Sequence, residues 1–335
     1  MSLSLNEYDV LFDRTESQSF FLTIAIPTFN RFDLLKEALK SVFEQSFAFA
    51  FEVLVIDNNP ENKELATKEM SIFSDKAMRY IVNSKNIGMF GNWNQCLLLS
   101  RGEYVMLLND DDLLKPNFSS VLTSFIKNNK INDGIIAFSD EVLDQRKNEL
   151  KRETSFWLRS ARQVNSCLKK SMLPDVSYIV KTDFFFKNYI HGTLAVVFNR
   201  EMSIKLGGFN ADAYPVADWE FWLRWTTIYG PIQKVKSNVA YYRIRENESF
   251  NPETLAKFPP AVRRLREDAI ASKRLPSFLS YLIPYLDRYE SMLGRIGFGD
   301  PEKYKFSTFL MLYFYFFMVS QNVFSLILSC FYRGR

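Results

Sequence analysis

The chain has 335 residues and a mass of 39.3 kDa, room for one large α/β domain and an appendage. Apolar residues at 47% and charged residues at 24% are ordinary for a packed core and exclude a disordered chain. Lys and Arg number 42 against 38 Asp and Glu, and the resulting +4 makes no electrostatic case for nucleic acid. One His and three scattered cysteines (Cys96, Cys167, Cys330) exclude a zinc cluster and a disulfide framework, so the thiols read as reduced, in a cytosolic protein.

Residues 1–19 read as a polar, acidic tail with neither the basic nor the apolar region of a cleaved signal. Phe20–Ile26 is an apolar run that predicts a strand stopping at Pro27. Leu34, Leu35, Ala38, Leu39, Val42 and Phe43 repeat at helical spacing and predict a helix over Arg31–Gln45. Phe51–Ile56, ending at Asp57, is continuous enough to be a strand buried on both faces. Further strands are expected at Met78–Val82, Tyr104–Leu108, Ile135–Phe138 and Thr193–Phe198. Helices are expected at Trp93–Leu99, near Glu201–Leu206 and from Asp218 through a tryptophan-rich stretch. This alternation predicts a mostly parallel central sheet flanked by helices. Residues 141–190 show no pattern. From Phe306 to Tyr332 there is no charged residue, ten of the 27 are Phe or Tyr, and cations flank both ends. That composition predicts a helical, aromatic region in contact with a membrane surface, the alternatives being a bilayer span and a pair of helices packed on the catalytic domain.

Parallel α/β sheets bind ligands at the carboxyl ends of their strands. Four polar clusters fall there: Pro27–Arg31, Asp57–Asn59, Lys85–Gly91 and Asn109–Asp112. Adjacent carboxylates repel one another, so the aspartate triplet suits a shared Mg²⁺ or Mn²⁺ held together with substrate phosphates. Asp111 is the candidate direct ligand, with Asp110 facing a ribose or the metal's water; an exposed, helix-capping turn is the alternative. Asp57 suits a base or ribose contact, or equally an Asx-turn with Asn58 and Asn59. Lys85 and Asn86 offer a cation and an amide to a phosphate or base. Asp218 is either a helix cap or a general base, with Trp219 and Trp222 either stacking on a sugar or packing in the core. His191, the lone imidazole, is more simply structural than functional; its functional reading is an acceptor contact alongside Trp219 and Trp222. No GxGxxG or P-loop pattern is present, which argues against hydride transfer and P-loop phosphoryl transfer.

Taken together, FLTIAIPTFNRFDLLKEALKSVFEQSF, FEVLVIDNN, NSKNIGMFGNWN, RGEYVMLLNDDDLLKPNF and GTLAVVFNREMSIKLGGFNADAYPVADWEFWLRW resemble the inverting GT-A glycosyltransferases of family 2, from about Phe20 to Arg245. The resemblance implies a GT-A (nucleotide-diphospho-sugar transferase) fold. It implies that Pro27, Thr28, Asn30 and Arg31 line a nucleotide pocket, that Asp57 reads the base, that Asp110 and Asp111 hold metal and nucleotide-sugar, and that Asp218 is the catalytic base. Asn109 stands where the family often has Asp. Arg245 stands where the family often has His, so that Arg243 or Arg245 is expected on the diphosphate. The expected organisation is a tail (1–19), a catalytic domain (20–245) and a helical C-terminal region (246–335). The expected donor is a nucleoside-diphosphate sugar, UDP-linked foremost. The expected acceptor is a glycan or lipid-linked glycan, met at the inner face of the cytoplasmic membrane during bacterial surface-polysaccharide (O-antigen or capsule) assembly. Two rival readings are a nucleotidyltransferase on the same fold and a non-catalytic membrane-associated scaffold.

Overall fold

The computed structural model describes residues 3–15, 19–128, 131, 134–145, 175–244, 251–288 and 290. Its centre is a ten-stranded sheet. The strands are β1 (Tyr8–Asp13), β2 (Phe20–Thr28), β3 (Phe51–Asp57), β4 (Arg79–Asn83), β5 (Gly102–Leu107), β6 (Leu113–Leu114), β7 (Ile135–Asp144), β8 (Val176–Ile179), β9 (Val196–Asn199) and β10 (Ile232–Ile244). Their order is β1-β4-β3-β2-β5-β9-β7-β10-β6, with β8 pairing β10. The run β4-β3-β2-β5 is parallel, as are β7 and β10, while β1, β9, β6 and β8 join antiparallel. The parallel run sends the carboxyl ends of β2, β3, β4 and β5 to one rim.

Helices cover both faces: α1 (Phe32–Phe43), α2 (Lys63–Glu69), α3 (Gly88–Leu99), α4 (Phe118–Asn128), α5 (Asp183–Phe186), α6 (Arg200–Lys205), α7 (Ala217–Ile228) and α8 (Pro252–Ala271). Two-sided coverage explains why the central strands read as unbroken apolar runs. In β3, Leu54 and Ile56 pack with α3 and α7 on one face, while Val53 and Val55 pack with α1 on the other. The helix expected over 31–45 forms as α1, with Leu35, Ala38, Leu39 and Val42 buried.

Three expectations are corrected. Residues 8–13 are not part of a tail. They form edge strand β1 on β4, with Leu11 and Phe12 against the core and Asp13 paired to Arg101 at 2.8 Å. The strand expected from Thr193 starts only at Val196, because Gly192 and Ala195 sit at φ 59° and 58° and the chain turns there. The left-handed region suits Gly and is costly for Ala, so the surrounding fold holds the turn. Finally, the core does not end at 245: Val262, Leu265 and Ala269 of α8, and Leu279 and Leu286 beyond it, are buried in the same cluster as Trp222. Arg266, also buried, ties that segment down through Glu290 at 2.6 Å and the Phe185 carbonyl at 2.8 Å. The aromatic stretch 306–332 lies outside the described residues. Among the described residues, no helix is long and apolar enough to cross a membrane.

Candidate functional site

The rim gathers the expected clusters. Thr28, the last residue of β2, donates from its hydroxyl to Asp110 Oδ2 at 2.8 Å. Arg31 reaches across from the start of α1, and its Nη1 lies 3.3 Å from Asp110 Oδ1 and 3.0 Å from Asp111 Oδ2. Asp112 accepts from the Arg243 backbone N–H at 3.0 Å and from Asn109 at 3.2 Å. Burial pushes the Asp110 carboxyl up to about 6 against the pull of Arg31, with Asp111 adding repulsion. Asp111 is likewise raised by burial, and Asp112 well raised by burial and by the Asp111 charge. Three adjacent acids, each harder to ionise than usual, describe a site short of positive charge.

Those carboxylates fit a divalent cation only in one form. Among the described residues, no group of three or more His, Cys, Asp or Glu is placed to cage a metal. Mg²⁺ and Mn²⁺ in phosphate-transfer sites need only one or two carboxylates, the remaining positions being filled by substrate phosphate and water. Asp111, half-buried at the rim, supplies such a donor. Asp110 is committed to Thr28 and Arg31.

The nucleotide-side residues divide. Asn30, held at φ 59°, accepts from Asn59 at 2.8 Å and from Asn62 at 2.9 Å, shaping the turn after Pro27. Lys85 is exposed beyond β4. Asn86 accepts from Asn58 at 2.8 Å and from the Gly88 N–H at 2.9 Å. Asp57 is fully buried and accepts from the Asn59 N–H at 2.9 Å and from Tyr80 at 3.0 Å. The turn alternative is therefore the one formed, with the carboxylate facing inward. Arg243 is buried too, and its guanidinium bonds Glu37 at 2.6 Å. Its charge nonetheless lowers the Asp111 carboxyl. Arg245 lies outside the described residues.

Asp218 sits in the first turn of α7 and accepts from Asn188 Nδ2 at 2.8 Å. A helix N-terminus favours the carboxylate. Burial nevertheless prevails over the Trp219 N–H and Asn188 bonds and lifts Asp218 to about 6. Sugar stacking by the tryptophans is corrected: Trp219 and Trp222 are 8% and 0% exposed. Their indole N–H groups donate to the Phe184 carbonyl at 2.7 Å and the Gly192 carbonyl at 3.1 Å. They are core, and they anchor the segments around α7. His191 is exposed, and its Nδ1 lies 2.7 Å from Asp140 Oδ2. Sequence reading passed over Asp140. Its signal was position alone, just beyond the carboxyl end of the expected strand Ile135–Phe138.

A mostly parallel sheet with an acidic rim and helices on both faces is the GT-A architecture. Residues 23–184 match the family model of glycosyl transferase family 2. The chain is 31% identical over 135 residues to the GalNAc(5)-diNAcBac-PP-undecaprenol beta-1,3-glucosyltransferase of Campylobacter jejuni, covering 40% of this chain and 42% of that protein. It is 33% identical over 100 residues to the putative colanic acid biosynthesis glycosyl transferase WcaA of Escherichia coli, covering 30% of this chain and 36% of that one. The matches thus span between about a third and three fifths of the length of these curated relatives and of an uncharacterized Mycobacterium tuberculosis protein. In three dimensions the chain is similar to the mannosyltransferase PcManGT from Pyrobaculum calidifontis, solved with GDP-Man and Mn²⁺. The TM-score is 0.54 at 15% identity, over 96% of this chain and 90% of that one, a likeness of fold.

Proposed function

We propose that the protein is an inverting glycosyltransferase that moves one sugar from a nucleoside-diphosphate sugar to a hydroxyl of a glycan or lipid-linked glycan, in assembly of a bacterial surface polysaccharide. The observation that carries the reading is the pairing of an acidic, cation-seeking rim with a separate carboxyl, Asp218, pushed up to about 6. An acid poised just below neutrality is a carboxylate at pH 7 and still basic enough to take a proton.

Asp218 takes the proton of the acceptor hydroxyl as its oxygen attacks the anomeric carbon, and the bond to the diphosphate breaks on the opposite face. Asn188 fixes the orientation of the Asp218 carboxylate. Arg31 supplies fixed positive charge beside the diphosphate, held in place by Asp110 and Asp111. Asp111 would hold a divalent cation together with the diphosphate oxygens, and when bound that ion neutralises charge on the leaving group. The lipid-linked acceptor draws support from the C. jejuni relative's undecaprenol-linked substrate and from the aromatic composition of 306–332. The donor nucleotide is UDP foremost, with GDP, the nucleotide of the PcManGT complex, as the alternative.

The pH profile tests the proton step. Since only the ionised Asp218 accepts a proton, kcat/KM for nucleotide release from the donor should rise with pH and level off above a midpoint near 6. A profile with no acidic limb between about pH 5 and 7 would remove Asp218 as the base.

A further inference from the structure

His191 is the chain's single histidine, and nothing in the sugar-transfer reading so far uses it. One short loop, between α5 and β9, carries both Asn188, which bonds Asp218, and His191, which bonds Asp140. The two acids it grips arise from different elements: Asp218 from α7 and Asp140 from β7. Asp140 is largely buried, with its side chain 8% exposed, whereas the His191 side chain is 56% exposed. Tyr242 of β10 flanks the imidazole, with ring centroids 5.5 Å apart. The ring is therefore pinned at one nitrogen, braced on one side, open to solvent and carried on the loop that holds the proposed base.

A carboxylate at Nδ1 decides which nitrogen carries the proton in a neutral imidazole. The Nδ1–H donates to Asp140, and the Nε2 lone pair is left pointing outward. We propose that His191 Nε2 is an acceptor-site hydrogen-bond group that receives the O–H of a second hydroxyl on the acceptor, next to the one attacking, and that Asp140 is its positioning residue. This rests on the sugar-transfer reading and narrows it, since the acceptor then reacts at one hydroxyl of a saccharide diol. A carboxylate-oriented imidazole at the acceptor mouth selects for that pair of hydroxyls.

Because there is one imidazole, its two nitrogens can be read directly in the full-length protein by long-range ¹H–¹⁵N correlation at a pH where the ring is neutral. The expected result is the Nδ1–H tautomer, reverting to Nε2–H in Asp140→Ala and persisting in Asp140→Asn, whose carbonyl still accepts. The functional arm uses UDP-glucose, UDP-N-acetylglucosamine and GDP-mannose as donors, with methyl glycosides of glucose, galactose and N-acetylglucosamine as acceptor probes. His191→Gln, whose amide reaches the Nε2 position, should keep saccharide-stimulated nucleotide release within about threefold. His191→Asn, which mimics only Nδ1, should raise the saccharide KM roughly tenfold, with the donor KM and background donor hydrolysis unchanged. An Nε2–H tautomer in the unaltered protein overturns the proposal. So does retention by Asn with loss in Gln, equal behaviour of both variants, or donor hydrolysis that no saccharide stimulates. An unaltered protein that releases nucleotide from none of the donors overturns the sugar-transfer reading itself.

Discussion

Asp218→Asn is expected to lower sugar transfer by roughly 10²–10⁴-fold while leaving donor binding intact, the range a positioned general base supplies. The amide preserves the shape of the side chain and keeps a carbonyl oxygen for the Asn188 bond, so the loss reports the missing proton acceptor. The same variant should be more stable. A carboxyl lifted to about 6 holds its proton more tightly folded than unfolded. Its favourable contribution is present in acid and lost as pH rises from the ordinary carboxylate range through 6. Between an ordinary carboxyl and one near 6 lies on the order of 3 kcal/mol at neutral pH, an upper figure for what Asn recovers. Thermal denaturation at pH 7.5 and at pH 4 should show the gain at the higher pH and little at the lower. A base that is costly to keep charged, yet kept, is the trade of stability for activity expected at a catalytic position. Full activity in Asp218→Asn would instead favour attack at phosphorus by a nucleotidyltransferase, which needs no base there.

Arg31→Ala should weaken nucleoside-diphosphate binding roughly ten- to hundredfold, matching the loss of one charge-assisted hydrogen bond of about 1.5–3 kcal/mol. Arg31 bridges Asp110 and Asp111, and it lowers both carboxyls. Without it a diphosphate meets a cluster of acids with less positive charge to offset them. Titration calorimetry with UDP and GDP reads the effect, and added salt should shrink the difference between wild type and variant. Unchanged affinity would make Arg31 a structural brace for the aspartates alone.

How far the sequence carried these conclusions varies by element. β2, β3 and α1 were legible because burial on both sheet faces and on one helix stripe writes a periodicity that needs no partner to interpret. β1 was not, because Tyr8–Asp13 mixes apolar and charged residues and becomes a strand only by pairing with β4. β9 begins three residues late because two left-handed residues, which no propensity foretells, close a turn first. At the site, Thr28, Arg31, Asp110 and Asp111 were legible as strand-end polar clusters and do meet. Trp219 and Trp222 stayed undecided, since a large aromatic looks the same in sequence whether it stacks on a sugar or fills a core. Asp140 went unseen because its importance is a contact with His191, 51 residues away. Asp57 shows the limit from the other side: position placed it at the rim, but only packing reveals that the carboxylate turns inward.

A thermal-shift panel of UDP, GDP, CDP and dTDP, each with and without Mn²⁺ or Mg²⁺, tests most directly whether this rim is a metal-assisted nucleotide site. A ligand at 100 times its dissociation constant adds about 2.7 kcal/mol to the folded state, a readily measured rise in Tm. The account predicts that one of the nucleotides stabilises the protein only when the divalent ion is present, and that Asp111→Ala abolishes the shift. A Tm that no nucleotide moves, with or without metal, would contradict it and leave the family fold without a working donor site.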